Sequence, residues 1–502
     1  MKKLLFFIAL FPLISIGYGQ DRPAAIDTTL LEPRPEEIPF VISDEKRLSD
    51  EDLANKREGR YITGVPEARV DPIRGFGIGA SAFLFNNKDR SDPFFYYTPY
   101  RALYAIELRG TTSGQVEGGL RFDIPFAFNT KWRLRGDLMF QSDPNWQYFG
   151  TGTQTLNRLS YIDKITGIRV NNARFRSYEE NLVRTREGRG EAFGETEQGP
   201  YSDMHYNEID YSQYLVALAL ERTFFEGRMR LMFGYELLWL DITHYDGMAI
   251  ENAVHTQTGE EVAAIQGKTR ITEEFNALQR GDPDSYWRRK NISGYNGGRV
   301  ALFQTGIMWD TRDLEPDPSN GVFVEIAQEF SFPAIGSQFN FSKHLFQAVY
   351  YQRLFPEILG RTVLAGRFAF GGIRGSNIPF TEMFDQWSSS EAAGIPVLGG
   401  SRSLRGYREY RFTGMVYGWG NLELRSRFFQ TNILRQHLAL SVVPFYDIGT
   451  VWDSLSEVRF GNFRMSPGLG ARIAWNQATI LRFDLAMSPE DTQFFFVFGH
   501  TF

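Results

Sequence analysis

Hydrophobic and polar positions alternate with a period of two through most of the chain beyond Ile73. In residues 115–126, Val116, Gly118, Leu120, Phe122, Ile124 and Phe126 share one face, and Gln115, Glu117, Arg121 and Asp123 the other. The next run sets Trp132, Leu134, Leu138 and Phe140 against Lys131, Arg133, Arg135 and Asp137. Such a period belongs to strands whose two faces meet different surroundings. Fifteen runs are legible, at 73–85, 98–110, 114–126, 130–141, 208–224, 228–243, 296–310, 320–332, 340–354, 361–373, 412–429, 437–449, 464–475, 479–488 and 492–502. A soluble sandwich also alternates, but its apolar face looks to a second sheet. Long runs with fully charged polar faces fit a closed transmembrane barrel better, apolar outward to lipid and charged inward to a wet lumen.

Single-chain bacterial barrels have even strand numbers with both ends in the periplasm. Counting back from Phe502 puts the short connections 225–227, 355–359 and 476–478 on the periplasmic side and the long ones, 244–295 and 374–411, outside. Counting forward from Ile73 requires one more strand within 142–207, beginning near Trp146–Thr153. The expectation is an all-β fold: a sixteen-stranded antiparallel transmembrane β-barrel over residues 71–502, with an inward-folded loop.

The N-terminus adds a destination. Lys2 and Lys3 precede an apolar stretch from Leu4 to Ile16, and Gly17-Tyr18-Gly19 supplies small residues before a cleavage point at Gln20. This is the layout of a secretory signal peptide over 1–19. Residues 20–70, with Pro23, Pro33, Pro35 and Pro39, show no strand or helix period and read as a periplasmic tail or linker. The 15% aromatic content, 44 of the residues being Phe, accompanies a mean hydropathy of −0.31. No other apolar run approaches the roughly 18 residues a membrane helix needs. The absence of cysteine excludes disulfides, thiolate catalysis and a lipidated cysteine anchor. A net charge of −6 argues against nucleic acid as the main partner. The bacterial outer membrane and its lipids are the expected surroundings.

Four segments in order narrow the family. Gly399-Gly400-Ser401-Arg402-Ser403-Leu404-Arg405-Gly406-Tyr407 resembles the Gly-Gly…Val/Leu-Arg-Gly-Tyr/Phe motif of the BamA/TamA superfamily of outer-membrane assembly barrels, the bacterial surface antigen family. Asp310-Thr311-Arg312-Asp313 with Pro316, Pro318 and Gly321 resembles its turn signature, and 421–425 its following strand. Residues 445–453 are similar to its Phe-x-Asp-x-Gly-Thr-Val-Trp strand. The resemblance covers the C-terminal half by motif and the N-terminal half by pattern. It implies a role in assembly, insertion or translocation of outer-membrane proteins or lipids, with client proteins or periplasmic and surface accessory proteins as partners. Residues 20–70 are too short for the family's periplasmic POTRA domains, so the chain resembles short members that keep only the barrel.

The family's loop folds back into the lumen, where its arginine meets wall carboxylates. Alternation independently turns Glu423 and Asp447 inward, and a guanidinium suits such partners because it bonds two carboxylate oxygens at once. An inner-loop lock is therefore expected from Arg405, Gly406 and Tyr407 to Asp447, with Glu423 second and Gly406 turning the backbone. An arginine that merely neutralises a charged wall fits the same residues. The family's insertion seam lies between first and last strands. Here Gly75, Gly77 and Gly79 fall on one face of the expected first strand, weakening it or making room for the loop. Phe494, Phe496, Phe498 and the terminal Phe502 form one aromatic face at the other edge, resembling the recognition signal of such barrels.

The six histidines sit in no hydrolase or zinc-protease motif, and no catalytic residue or cofactor is expected. Asp310, Asp313, Glu315 and Asp317 lack EF-hand spacing and read as a turn rather than a metal site. A passive or substrate-specific channel is the main alternative. A scaffold using 157–205, 247–290 or the N-terminal tail is another. A lumen filled by 395–411 would weigh against the channel.

Overall fold

The computed structural model describes residues 38–71, 75–166, 168–187, 200–359, 361–389, 395–433, 436–476 and 479–502. The expected signal peptide and the expected strand start at Ile73–Arg74 lie outside them. Sixteen long strands form one antiparallel sheet, each paired with its sequence neighbour. They are β1 (Arg60–Asp71), β2 (Gly75–Asn86), β3 (Ala102–Thr111), β4 (Val116–Ile124), β5 (Trp132–Gln147), β6 (Glu208–Phe224), β7 (Met229–Thr243) and β8 (Gly297–Asp310), followed by β9 (Gly321–Ser331), β10 (Asn340–Arg353), β11 (Thr362–Pro379), β12 (Val416–Ile433), β13 (Gln436–Trp452), β14 (Arg464–Trp475), β15 (Thr479–Met487) and β16 (Thr492–Phe498).

All fifteen expected runs are strands, but the sixteenth is β1, inside what the sequence presented as a linker. The 142–207 segment adds no wall strand. It extends β5 to Gln147, then forms an external loop with helix α2 (Phe175–Val183) and short pairings of its own. Even parity demanded a missing strand without saying where, and Pro66 hid it. Proline cannot donate to a ladder and is tolerated on an edge strand. β1 has one hydrogen-bonded neighbour among the described residues, β2, with Pro66 opposite Ala80.

The wall is inverted relative to a soluble core, as alternation predicts. Leu108, Leu120, Leu138 and Leu218 are each more than half exposed on the outside, whereas Asp123, Arg133, Glu221, Arg230 and Lys343 are buried inside. Lumen charges neutralise one another: Arg133 bonds Asp123 and Glu315, and Lys343 bonds Glu329, Glu382 and Asp385. At the end with the long loops, Trp146, Tyr148, Ile209, Trp287, Phe380 and Phe384 form one apolar cluster between wall and loops.

The opposite mouth, at the end with the short connections, is covered by residues 38–56, including helix α1 (Asp50–Asn55). Leu48 and Leu53 pack on Phe95 and Leu314, which belong to two connections at that mouth. Lys46 Nζ pairs with Asp310 at 3.1 Å, Arg228 bonds Glu45, and Arg361 bonds Asp52. Lys56 donates to the carbonyls of Phe95 and Thr98, and burial pushes its amine down to about 7. The expected loose tail is thus, from residue 38, a docked cap.

Candidate functional site: an arginine clasp in the lumen beside the barrel seam

The loop between β11 and β12 descends into the lumen. Gly399 and Gly400 carry its turn at φ +109° and +77°, and Gly400 N–H donates to the Tyr407 carbonyl at 2.9 Å. The Arg405 side chain at its tip is fully buried. Its Nε and Nη2 reach the two Asp447 oxygens at 2.9 and 2.7 Å, and its main-chain N–H donates to the same carboxylate at 3.1 Å. Nη1 donates to Glu423 at 2.6 Å, Asp484 at 3.1 Å and Thr501 Oγ1 at 3.1 Å. The guanidinium lies 3.4 Å from the Phe445 ring centroid. Burial opposes the charge, but Asp447, Glu423 and Asp484 together hold the guanidinium above its ordinary value.

Four neighbouring strands build this socket through inward positions. β12 gives Asn421 and Glu423, β13 Phe445 and Asp447, β14 Ser466 and Arg472, and β15 Asp484. Asn421 Nδ2 bonds both Asp447 and the Ser403 carbonyl at 2.7 Å, tying loop to wall. Arg425 and Arg472 complete the charges of Glu423 and Asp484. The structure thus brings Arg405, Glu423 and Asp447 together. Gly406 sits beside them for a different reason than expected. Its φ is not left-handed, but a Cβ there would lie 2.5 Å from the Met487 carbonyl oxygen. Close approach, rather than a turn, demands glycine. Tyr407 packs on Phe412 instead of joining the ion pairs.

Sequence reasoning missed Asp484 and Thr501. Asp484 was legible, because it alternates inward between Phe483 and Leu485. Thr501 was not, because the last strand ends at Phe498. Gly499, at φ +78°, turns the chain inward. Phe502 therefore leaves the aromatic face of Phe494, Phe496 and Phe498. Its ring packs in the lumen between Tyr351, Arg367 and Arg425. His500 is buried with Nε2 3.1 Å from Asp317, and burial, reinforced by Arg425, pushes its imidazole down to about 4. The turn acids expected not to hold metal are ion-paired: Asp310 with Arg312, and Asp317 with Arg361 and Arg427.

The glycines expected at the seam lie one strand in. Gly75, Gly77 and Gly79 belong to β2, which pairs on both sides, with Gly79 opposite Glu67 and Arg109. The true edges are β1 and β16, and no backbone pairing joins them among the described residues. Side chains bridge the seam from one edge to the strand behind the other: the Thr63 hydroxyl of β1 lies 3.1 Å from that of Thr479 on β15, and Phe83 of β2 is edge-on to Phe498 of β16 at 5.0 Å.

Comparison with known proteins adds the following. A family model described as the Omp85 superfamily domain matches residues 104–502, and a domain of unknown function, DUF5982, matches 38–101. The latter comprises the cap, β1, β2 and the connection between β2 and β3. No curated protein sequence matches. Among solved structures, BamA from Haemophilus ducreyi lacking POTRA domains 1–3 aligns with TM-score 0.44 and 13% identity, covering 88% of this chain and 70% of that one. CdiB from Escherichia coli gives 0.46 and 10%, and CdiB from Acinetobacter baumannii 0.40 and 9%, each over 88% of this chain. The chain spans 62% and 60% of those two, less than two thirds of either.

Proposed function

The chain belongs to the Omp85 superfamily of outer-membrane barrels, and from that membership we propose that it inserts or translocates outer-membrane proteins or lipids through the β1–β16 seam. The observation that carries the reading is the combination at that seam. Two edges lack backbone pairing among the described residues, and the chain end beside them is held inside by the Arg405 clasp. An open sheet edge in lipid leaves backbone groups unsatisfied, so it is a template for an incoming strand or a route for a lipid. Arg405, Glu423, Asp447 and Asp484 act as the clasp that holds loop and tail while the edges separate.

A passive channel is disfavoured by a lumen occupied at three levels: the apolar loop cluster, the clasp and the N-terminal cap.

The test is depletion in the native host with quantification of the outer-membrane proteome, complemented by wild type or Arg405→Ala. The reading expects many unrelated barrels to fall together, with rescue by wild type alone although both versions reach the membrane equally. Unchanged barrels, with loss of passage for a single solute or exported protein, would replace it with a dedicated conduit.

A further inference from the structure

A cavity of about 530 Å³ lies in the periplasmic half of the lumen, bounded on one side by β2 and β3 and on the other by β15, β16 and the 499–502 tail. Its apolar lining includes Phe83, Phe85, Leu103, Ile480 and Phe498, and beside the tail it carries Arg367, Arg402 and Arg482. Its carboxylates, Glu107, Asp123, Asp137 and Glu315, are each paired with an arginine of the wall.

Two of these arginines are buried with no carboxylate within hydrogen-bonding distance among the described residues. Arg367 is 6% exposed, and its partners are neutral oxygens: Asn421 Oδ1 and the carbonyls of Thr501 and Arg402. Arg482 is 1% exposed and donates from Nη1 to the Thr501 hydroxyl. Its nearest carboxylate is Asp484 at 3.8 Å, outside hydrogen-bonding range and shared with Arg405 and Arg472, and its Nε has no hydrogen-bond partner. Buried charges are ordinarily paired, as every cation around Asp310 is. Water filling the space would satisfy nitrogens but leave the charge uncompensated.

We propose that this cavity binds the anionic phosphate headgroup of a membrane lipid, held by Arg367 and Arg482, with the start of its acyl chains against Phe83 and Phe498. Guanidinium groups suit phosphate oxygens because they donate in parallel pairs. The position beside the unpaired seam gives an amphiphile a path from bilayer to lumen, which a free anion would not need. A peptide ending in an aromatic residue is a poorer occupant, because Phe502 already fills the aromatic slot between Arg367, Arg425 and Tyr351. The inference does not depend on an assembly role, since a bound lipid serves a static barrel equally.

The experiment is native mass spectrometry of the full chain released from detergent after incubation with phosphatidylglycerol, phosphatidylcholine or inorganic phosphate. One phosphatidylglycerol retained per barrel, at least about tenfold over phosphatidylcholine, is expected. Arg367→Gln/Arg482→Gln should abolish that preference, and Arg482→Lys should keep most of it. Heat-shifted gel mobility verifies that each variant is folded. In parallel, a photo-reactive residue at Phe83 in the otherwise wild-type chain should crosslink radiolabelled phosphatidylglycerol, a readout that needs no arginine variant. Equal retention of both lipids, saturation by inorganic phosphate without lipid, or absence of the crosslink would each overturn the proposal.

Discussion

Replacing Arg405 by methionine removes the one cation that pairs with Asp447 among the described residues. Glu423 keeps Arg425 and Arg472, and Asp484 keeps Arg472, but Asp447 is left with the neutral donors Asn421, Ser466 and the main-chain N–H of residue 405. All three carboxylates are fully buried, so solvent does not rescue the orphan. Breaking a buried pair by removing one partner costs about 3–5 kcal/mol, or roughly two to four powers of ten in the folding equilibrium. Adding Asp447→Asn removes the stranded charge while keeping shape and the Asn421 contact. The double variant should therefore be about 2 kcal/mol more stable than the sum of the single losses. Urea unfolding in lipid vesicles, followed by the fluorescence of the nine tryptophans, reads both quantities. An Arg405→Met barrel within about 0.5 kcal/mol of wild type, or strictly additive losses, would refute the clasp as a stabilising unit.

Three further outcomes follow from other parts of the molecule. Leu48→Asp with Leu53→Asp should release the periplasmic cap, at about 1.5–3 kcal/mol per leucine unburied, so that protease added from the periplasmic side clips residues 38–56. Conductance in planar bilayers should nevertheless stay low until residues 395–411 are also deleted. Gly406→Ala should cost about 1–3 kcal/mol by overpacking against Met487, measured by the same urea titration. For His500 the folded value of about 4 lies below the ordinary 6.5. The unfolded chain then takes up the proton first as pH falls, and this contribution to stability, full above about pH 6.5, is lost progressively toward pH 4. His500→Gln should flatten that part of the stability profile between pH 7.5 and 5.

Most of the wall was legible because lipid and a charged lumen impose opposite demands on alternate residues. That constraint marks Leu120 against Arg121 or Leu422 against Glu423 without any knowledge of partners. The same alternation turned Glu423 and Asp447 inward, so the loop arginine had identifiable places to bind. β1 was illegible because it is an edge: Gly64 and Pro66 break its pattern, and an edge tolerates both. Missing it reversed the assumed direction of the following strand, which moved the glycines of β2 to the seam and created the need for a strand in 142–207. The inward turn of the last four residues was equally hidden. Phe502 continues the spacing of Phe494, Phe496 and Phe498, and only the φ of Gly499 separates it from them. The cap was missed because its two leucines bury against turns 42 to 266 residues away in sequence, a pairing that no local period records.

The seam's opening is tested most directly by tethering it. The chain has no cysteine, and the Thr63 and Thr479 hydroxyls lie 3.1 Å apart across the gap, so Thr63→Cys with Thr479→Cys needs only a small approach to reach the roughly 2.05 Å of a disulfide. In a depletion strain carrying this variant, unrelated outer-membrane barrels are quantified with the tether oxidised and again after reductant. The account predicts that oxidised, correctly folded protein fails to sustain them, that reduction restores them, and that either single-cysteine variant behaves as wild type. Wild-type levels of client barrels with the tether fully oxidised would contradict it, because a seam that cannot part cannot be the route.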